Sequence, residues 1–141
     1  NFVMKVLTLQ DQSDSIKIVD DQISSPTSTS FLAKTCWNIL KKKSVGCLIP
    51  SIVHCSNSGV ASWYDLAEAI TQISLETGII SKAAKIIPIK SSQFVTKAKR
   101  PSFSVLDCSE SLSSLAQSRM HWRKELEKLL LYKSRAMSIE K

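Results

Sequence analysis

The most clearly patterned part of the sequence is ASWYDLAEAITQISLETG, residues 61–78. Its apolar residues recur at three- and four-residue spacing, which places them on one stripe of a helix: Trp63, Leu66, Ala67, Ile70 and Ile73. Ser62 and Asp65 have the spacing of a capping box, and Gly78 supplies a stop signal. The pattern predicts an amphipathic helix with one face against a core.

Outward from this helix, helical and extended segments alternate along the chain. Short strands are predicted at IKIV, residues 16–19, and within AAKIIPIKSSQF, residues 83–94. Further helices are predicted at NFVMKVLTLQ (1–10), TSFLAKTCWNILKKK (29–43), ESLSSLAQ (110–117, capped by Ser109) and HWRKELEKLLLYK (121–133). Helices that alternate with short strands favour the α/β class.

Two segments carry specific burial predictions. The run CLIPSIVHCSNSG, residues 47–59, is apolar, β-branched and closed by turn residues, so it predicts a buried strand that ends in a turn. The helix at 29–43 is predicted to have one apolar face, formed by Phe31, Leu32, Cys36, Ile39 and Leu40.

The stretch DDQISSPTSTSFLAK, residues 20–34, allows two interpretations. Asp20, Asp21 and Gln22 offer three oxygen ligands, whereas a hard cation usually needs six or more. The favoured interpretation is a polar turn that Pro26 stiffens, followed by a Ser or Thr hydroxyl that caps the next helix. Contact between this turn and a ligand stays open.

The bulk composition limits the function classes. The chain has 141 residues, 43% of them apolar, which suits one domain, and it starts with Asn1 inside a helical pattern, from which we expect a fragment. The net charge is +7, but the basic residues are scattered and no nucleic-acid motif accompanies them. A solvated basic surface is therefore favoured over nucleic-acid binding, and anionic small molecules remain candidate ligands.

Cysteine, histidine and hydropathy patterns favour a plain intracellular protein. The four cysteines show no Cys-x-x-Cys spacing and form no zinc pattern with the two histidines, so reduced, buried thiols and no metal site are expected. The sequence shows neither a cleavable signal peptide nor an apolar run of membrane-spanning length. We therefore expect a cytoplasmic setting without membrane contact.

No catalytic constellation is visible in the sequence. His54 and Cys55 are neighbours in the predicted strand and should face opposite sides, and the three glycines are too far apart for a phosphate loop. Arg100 stands out, because Pro101 holds it in an extended segment where a guanidinium can meet phosphate oxygens. A solvated surface arginine is an equally good interpretation of that residue.

Five segments follow one another along the chain: NFVMKVL, IKIVDDQISSPTSTSFLAKT, IVHCSNSGVASWYDLAEAI, AKRPSFSVLD and HWRKELEKLL. Taken together, they resemble the C-terminal half of the dTDP-4-dehydrorhamnose reductase family, which belongs to the extended short-chain dehydrogenases/reductases. The resemblance implies that residues 1–141 form one C-terminal substrate-binding domain, associated with a Rossmann domain that this chain lacks. It also implies that strands 16–19 and 86–89 form a small separate sheet, while residues 51–55 join the Rossmann sheet.

The family's catalytic machinery is not in this chain. Its glycine-rich fingerprint does not occur here, and Tyr64 and Tyr132 both lack the lysine four residues on that its Tyr-x-x-x-Lys pair requires. The resemblance thus implies an oxidoreductase that, at full length, uses NAD(P)H to reduce a dTDP-4-keto-6-deoxy-L-sugar to dTDP-L-rhamnose. We expect this fragment to bind no cofactor and to be inactive alone.

What the resemblance carries over is the wall of the dTDP-sugar site. It implies that Asn1 lies near the diphosphate and that Arg100 clamps the phosphates. The turn residues implied to line the cleft are Gln22, Ser25, Pro26 and Thr27.

Two alternatives remain. The main one is a regulatory or interaction protein on the same scaffold, like the regulatory subunit of methionine adenosyltransferase. The weaker one, which the positive net charge suggests, is a basic nucleic-acid-binding module. Without its sheet, the segment 52–55 would expose an apolar strand edge. We therefore expect either self-association of the fragment or cover by a neighbouring helix such as the N-terminal one.

Overall fold

The structure, a computed structural model, describes residues 1–94 and 96–139. Within these ranges helices and short strands alternate, which confirms the α/β class. The elements are α1 (Phe2–Gln12), β1 (Ser15–Val19), β2 (Ile23–Ser24), α2 (Thr29–Ser44), β3 (Ala61–Ser62), α3 (Trp63–Glu76), β4 (Lys85–Ile89), a short 3₁₀ helix (Ser91–Gln93), α4 (Ser109–Leu115) and α5 (Trp122–Ile139).

The strands β1 and β4 pair in parallel and form a small sheet. Ile16 lies opposite Ile86, and Ile18 lies opposite Pro88. A parallel pair needs a long crossover, which here contains α2 and α3. The small separate sheet expected for these two segments is therefore confirmed.

The helix α3 is the centre of the main core. It contacts α1, α5 and both strands of the small sheet, and Ile70 at its middle is fully buried. The predicted capping box is present, since the Asp65 amide donates to Ser62 Oγ at 3.0 Å and the Ser62 amide donates to Asp65 Oδ2 at 2.8 Å. The strongest sequence pattern thus marks the element around which the core assembles.

A second strand pair brings three distant segments together. β2 pairs antiparallel with β3, with Ile23 opposite Ser62. Ile23 also receives the segment that follows Pro101, because its amide donates to the Ser102 carbonyl at 2.8 Å and its carbonyl accepts from the Ser104 amide at 2.9 Å. The polar turn, the start of α3 and the extended basic segment are therefore held side by side.

The helix α2 begins as predicted but does not bury its predicted face. Ser28 is the N-cap, and its hydroxyl accepts from the Phe31 amide at 3.1 Å. Phe31 is buried and Ile39 is half-buried, whereas Leu32, Cys36 and Leu40 are exposed. The predicted face exists as a stripe, but most of it has no partner within the described part of the chain.

The predicted buried strand at residues 47–59 is wrong. Residues 47–57 form no strand, and Leu48 and Ile52 are 98% and 70% exposed. A strand requires a neighbour with which to form a ladder, and none of the described strands pairs with this segment.

The expected cover of this segment by a neighbouring helix comes in part from α4 rather than from α1, which packs on α3. Cys55 packs against Cys108 and Leu112, and the His54 amide donates to Ser111 Oγ at 2.9 Å.

The cysteines and the start of α4 need smaller corrections. All four cysteines are free, but only Cys108 is buried, while Cys36 and Cys47 are exposed. Cys108, rather than Ser109, is the N-cap residue of α4, and the Ser109 amide instead donates to the Asp107 carboxylate at 2.9 Å. None of the described helices is both long and apolar enough to cross a membrane.

Candidate functional site

A pocket of about 330 Å³ opens beside α1 and the small sheet, at the start of α3. It brings together two residues that were predicted to bind substrate, Gln22 and Arg100. Its lining consists of Phe2, Lys5, Val6, Leu9, Lys17, Ile18, Val19, Gln22, Trp63, Phe94, Thr96 and Arg100. Apolar pockets with a few polar groups are the usual form of small-molecule sites.

Aromatic side chains line part of this pocket. Phe2 and Trp63 are the first residues of α1 and α3, and their ring centroids lie 4.7 Å apart at an interplanar angle of 55°. Phe94 is a third aromatic residue in the lining. Aromatic faces of this kind suit a flat conjugated ring, such as a nucleobase.

The polar part of the pocket is cationic. Lys5, Lys17 and Arg100 belong to its lining, and no carboxylate does among the described residues. Cations that share a concave surface raise the local concentration of anions. The planar guanidinium of Arg100 can in addition hold two phosphate oxygens at once, whereas the lysines act as point charges.

Trp63 is connected to the polar turn by a chain of hydrogen bonds. Its indole nitrogen donates to Gln22 Oε1 at 3.2 Å, and Gln22 Nε2 donates to Ser91 Oγ at 2.9 Å. Ser91 Oγ in turn donates to Asp21 Oδ1 at 2.5 Å. The hydrogen bond from the Ser91 hydroxyl lowers the pKa of the Asp21 carboxyl below its ordinary value of 3.8.

The two aspartates of the turn therefore have structural partners. Asp20 forms an ion pair with Lys90 at 3.0 Å, and Asp21 also accepts from the Ser91 amide at 2.9 Å. No group of three or more metal-ligating side chains occurs in the described ranges. The interpretation as a polar turn thus agrees with the contacts of both carboxylates.

The remaining residues predicted to bind substrate lie outside the lining of this pocket. Asn1 is exposed and caps α1, since its side chain accepts from the Met4 amide at 3.0 Å, but the adjacent Phe2 does line the pocket. The three turn residues are half-buried: Ser25, Pro26 and Thr27.

The turn at residues 25–28 is held by Asn57. Thr27 Oγ1 donates to the Ser25 carbonyl at 2.9 Å and accepts from the Asn57 amide at 3.3 Å. The Ser28 amide donates to Asn57 Oδ1 at 2.8 Å. Asn57 is fully buried, so this contact fixes the turn against the 56–58 segment.

A larger groove of about 460 Å³ lies between α2 and α5, but it is the weaker candidate. Its lining includes Lys34, Arg119 and Lys128 together with the Glu125 carboxylate. That carboxylate already accepts from Ser28 Oγ at 2.8 Å and from Lys128 Nζ at 3.2 Å. None of the residues predicted to bind substrate belongs to this groove.

The pocket near Trp63 contains no evident acid or base for catalysis. Tyr64 follows Trp63, but Glu68, rather than a lysine, stands four residues on. The negative charge of Glu68 raises the pKa of the Tyr64 phenol above its ordinary value of 10.0. The described residues of the lining can thus bind and orient a ligand.

Sequence reasoning missed several residues of this pocket. In the sequence, Trp63 falls on the apolar stripe predicted for α3, and Phe2 lies within the helix predicted at residues 1–10. Lys5 and Lys17 belong to the scattered basic residues, and nothing in the sequence places them together. A usable signal was the placement of Trp63 directly after a capping serine, because a first-turn aromatic lies at the end of the helix rather than along its buried middle.

The fold and the pocket agree with a match to a known family. A family model described as RmlD substrate binding domain matches residues 1–134. The chain therefore belongs to the RmlD substrate-binding domain family, and the resemblance noted in the sequence is confirmed.

The similar proteins are reductases and a polysaccharide biosynthesis protein. The spore coat polysaccharide biosynthesis protein SpsK of Bacillus subtilis is 34% identical over 137 residues, which cover 96% of this chain and 44% of SpsK. The dTDP-4-dehydrorhamnose reductase of Sinorhizobium fredii is 29% identical, with 92% of this chain and 44% of the relative covered. The chain thus spans less than half the length of these relatives.

Two solved dTDP-4-dehydrorhamnose reductase structures have a fold similar to that of this chain. The dTDP-4-dehydrorhamnose reductase of Clostridium acetobutylicum superposes with a TM-score of 0.77 at 32% identity, over 91% of this chain and 42% of that structure. The reductase of Bacillus anthracis in complex with NADP gives 0.75 at 26% identity, over 94% and 43%.

Proposed function

We propose that residues 1–141 form the C-terminal substrate-binding domain of a longer dTDP-4-dehydrorhamnose reductase. In this proposal the chain holds a dTDP-sugar while the 4-keto group of dTDP-4-keto-6-deoxy-L-sugar is reduced to give dTDP-L-rhamnose. The family match and the reductase relatives support the reaction class. The sugar and its configuration are part of the proposal.

The observation that carries the proposal is the composition of the pocket near Trp63. Its aromatic wall consists of Phe2, Trp63 and Phe94. Three cationic side chains line the same pocket: Lys5, Lys17 and Arg100. A nucleoside diphosphate has matching parts, a flat base and an anionic diphosphate. We assign the base to the aromatic wall and the diphosphate to Arg100, with Lys5 and Lys17 as supporting charges.

The hydride would come from NAD(P)H bound by a part of the reductase that lies outside this sequence. A dinucleotide fingerprint needs clustered glycines, whereas Gly46, Gly59 and Gly78 stand in three separate turns. The residues of this chain therefore do not fit the cofactor, and we derive no step through it. We propose that the chain alone is inactive.

Free thiols at all four cysteines support a reducing compartment such as the cytoplasm, which we propose as the setting. The regulatory role on the same scaffold gains no support from the relatives, which are named as reductases or as a biosynthesis protein. We therefore retain the substrate-binding role alone.

Titration of the chain with dTDP tests the assignment of Arg100. Arg100→Ala should weaken binding by roughly 1.5–3 kcal/mol, the usual contribution of a charge-assisted hydrogen bond. Lys97→Ala is the matched control, since Lys97 belongs to the same basic segment but not to the pocket lining. Equal affinities for the wild type and Arg100→Ala would reject the role of Arg100.

A turnover assay tests the proposal that the chain alone is inactive. The purified chain, supplied with the 4-keto nucleotide-sugar and either NADH or NADPH, should oxidise no cofactor above the rate of a protein-free control. Measurable turnover would show that the chain holds catalytic groups that its pocket does not reveal.

A further inference from the structure

The chain of hydrogen bonds from Asp21 to Trp63 has only one consistent direction. An ionised carboxylate can only accept, so the Ser91 hydroxyl proton points to Asp21 across the 2.5 Å contact. Ser91 Oγ must then accept from the Gln22 amide nitrogen at 2.9 Å. This turns the Gln22 carbonyl toward the Trp63 indole N–H, which can only donate.

The opposite orientation of the Gln22 amide is excluded by the same contacts. If the amide were reversed, its NH₂ group would face the indole N–H, and two donors would oppose each other. Its carbonyl oxygen would meanwhile face a hydroxyl whose only proton is committed to Asp21. The carboxylate of Asp21 therefore determines, through Ser91, which atom Gln22 presents to Trp63.

The polar atoms of Gln22 are thus used within the protein. Its amide oxygen bonds to Trp63 and its amide nitrogen bonds to Ser91, although Gln22 itself lines the pocket. These contacts fix the indole ring of Trp63. Gln22 holds the ring at its N–H edge, and the ring packs against Phe2 with 4.7 Å between the ring centroids.

We propose that Gln22 is a positioning residue, which holds the Trp63 ring as a fixed stacking face for the base of the bound nucleotide. This inference rests on the proposed function and specifies how the base end of that site is built. A ring that is already fixed loses less conformational freedom when a ligand stacks on it, so the free energy of stacking is retained. Asp21 and Ser91 contribute without touching the ligand.

Ser91→Ala breaks this connection without altering the pocket lining, because Ser91 is not part of it. The matched control is Ser92→Ala, since Ser92 belongs to the same 3₁₀ helix, is exposed, and makes no side-chain hydrogen bond among the described residues. Ser91→Thr keeps a hydroxyl at the same position and should restore the connection. All variants are made in the 141-residue chain.

Two probes separate the two ends of the site in calorimetric titrations. Ser91→Ala should weaken dTDP binding by roughly three- to ten-fold, the effect of releasing one ordered side chain. Binding of inorganic pyrophosphate, which has no base, should stay unchanged. Ser92→Ala should change neither affinity, and Ser91→Thr should bind dTDP as the wild type does.

The side-chain signals of tryptophan give an independent readout. Among the three indole N–H resonances in a ¹H–¹⁵N spectrum, the one lost in Trp63→Phe belongs to Trp63. In Ser91→Ala that resonance should shift and its proton should exchange faster with water, because Gln22 is no longer held in place. In Ser92→Ala it should remain where it is.

Three results would overturn the inference. If Ser91→Ala binds dTDP as tightly as the wild type, Gln22 does not position Trp63 for the base, while the proposed function stands. If Ser91→Ala weakens pyrophosphate binding as much as dTDP binding, the substitution disturbs the whole pocket. If the wild type does not bind dTDP at all, the inference and the proposed function fail together.

Discussion

Two regions of the molecule differ in how far their apolar residues are buried. Around α3, the helices α1 and α5 and the β1–β4 sheet enclose a core in which Ile70 is fully buried. Around α2 and the segment that follows it, Trp37 and Leu48 are 65% and 98% exposed. An amphipathic pattern shows that a face is apolar, and the presence of a partner decides whether that face is buried.

The candidate site lies at the edge of the enclosed region. Phe2 and Trp63 are the first residues of two helices that pack against each other, and Lys17 lies on the strand beside them. The pocket is therefore shaped by elements whose positions the core fixes. Binding by the pocket should depend on the α3 region and tolerate changes around α2.

Truncation in the enclosed core should have the largest effect. Ile70→Ala removes a fully buried side chain from the middle of α3, so it should lower the free energy of unfolding by roughly 2–5 kcal/mol. Leu48→Ala, at a position that is 98% exposed, should change it by less than about 0.5 kcal/mol. Urea unfolding curves measure both, and similar losses would contradict the contrast between the two regions.

A steric test concerns Gly59, which packs against the start of α5. Its φ is +83°, and a Cβ there would overlap the His121 ring and lie 2.9 Å from Trp122 Cδ1. Gly59→Ala should therefore destabilise the chain by roughly 2–4 kcal/mol, from backbone strain and overpacking together.

Gly46 at the end of α2 provides the control for this test. It has a similar φ of +78°, but a Cβ there would meet nothing within 4 Å. Gly46→Ala should cost only the backbone strain, roughly 1 kcal/mol. If both substitutions have equal effects in thermal unfolding, the contact between residue 59 and α5 is not tight.

The contrast between the α3 and α2 regions also shows which features can be predicted from the sequence. The Ser62 and Asp65 capping box, the α3 stripe and the Ser28 cap were predictable because each depends on neighbours within one helical turn. The absence of a strand at residues 47–57 was not, because a strand depends on a partner elsewhere in the chain. The aromatic wall was missed for the same reason, since Phe2 and Trp63 meet only after α1 packs on α3.

A pH titration tests the contact that anchors the 3₁₀ helix to the turn. The hydrogen bond from the Ser91 hydroxyl is the main cause of the lowered pKa of Asp21, whose ordinary value is 3.8. Because the folded pKa lies below the unfolded one, the ionised carboxylate stabilises the fold above pH 3.8, and this contribution is lost as the pH falls through the folded pKa. The effect should be small, since the carboxylate is accessible to water.

The measurement compares the wild type with Asp21→Asn across acidic pH. Their difference in free energy of unfolding should be constant near neutral pH and should shrink as the pH falls below 3.8. Asp11→Asn is the control, because it makes the same change at an exposed aspartate in the last turn of α1. A difference that grows toward low pH would contradict the lowered pKa.

Substitutions on the exposed face of α2 should have the smallest effect on the free energy of unfolding. They should instead alter the self-association of the chain. Pairing of strand edges through residues 52–55 does not account for self-association, because the structure has no strand there. Trp37, Leu40 and Ile52 nevertheless leave apolar surface exposed in this region, and such surface favours contact between copies. We therefore predict concentration-dependent self-association of the chain.

Trp37→Lys tests this prediction, because it removes the largest exposed apolar side chain of α2 and adds a charge. Light scattering should show a lower average mass than for the wild type at the same high concentration, while the free energy of unfolding stays within about 0.5 kcal/mol. Tyr132→Lys makes the same kind of change at an exposed aromatic of α5 and should leave the mass of the wild type unchanged. If the two variants lower the mass equally, net charge rather than the α2 face controls association. A wild type that is monomeric at every concentration would contradict the predicted self-association.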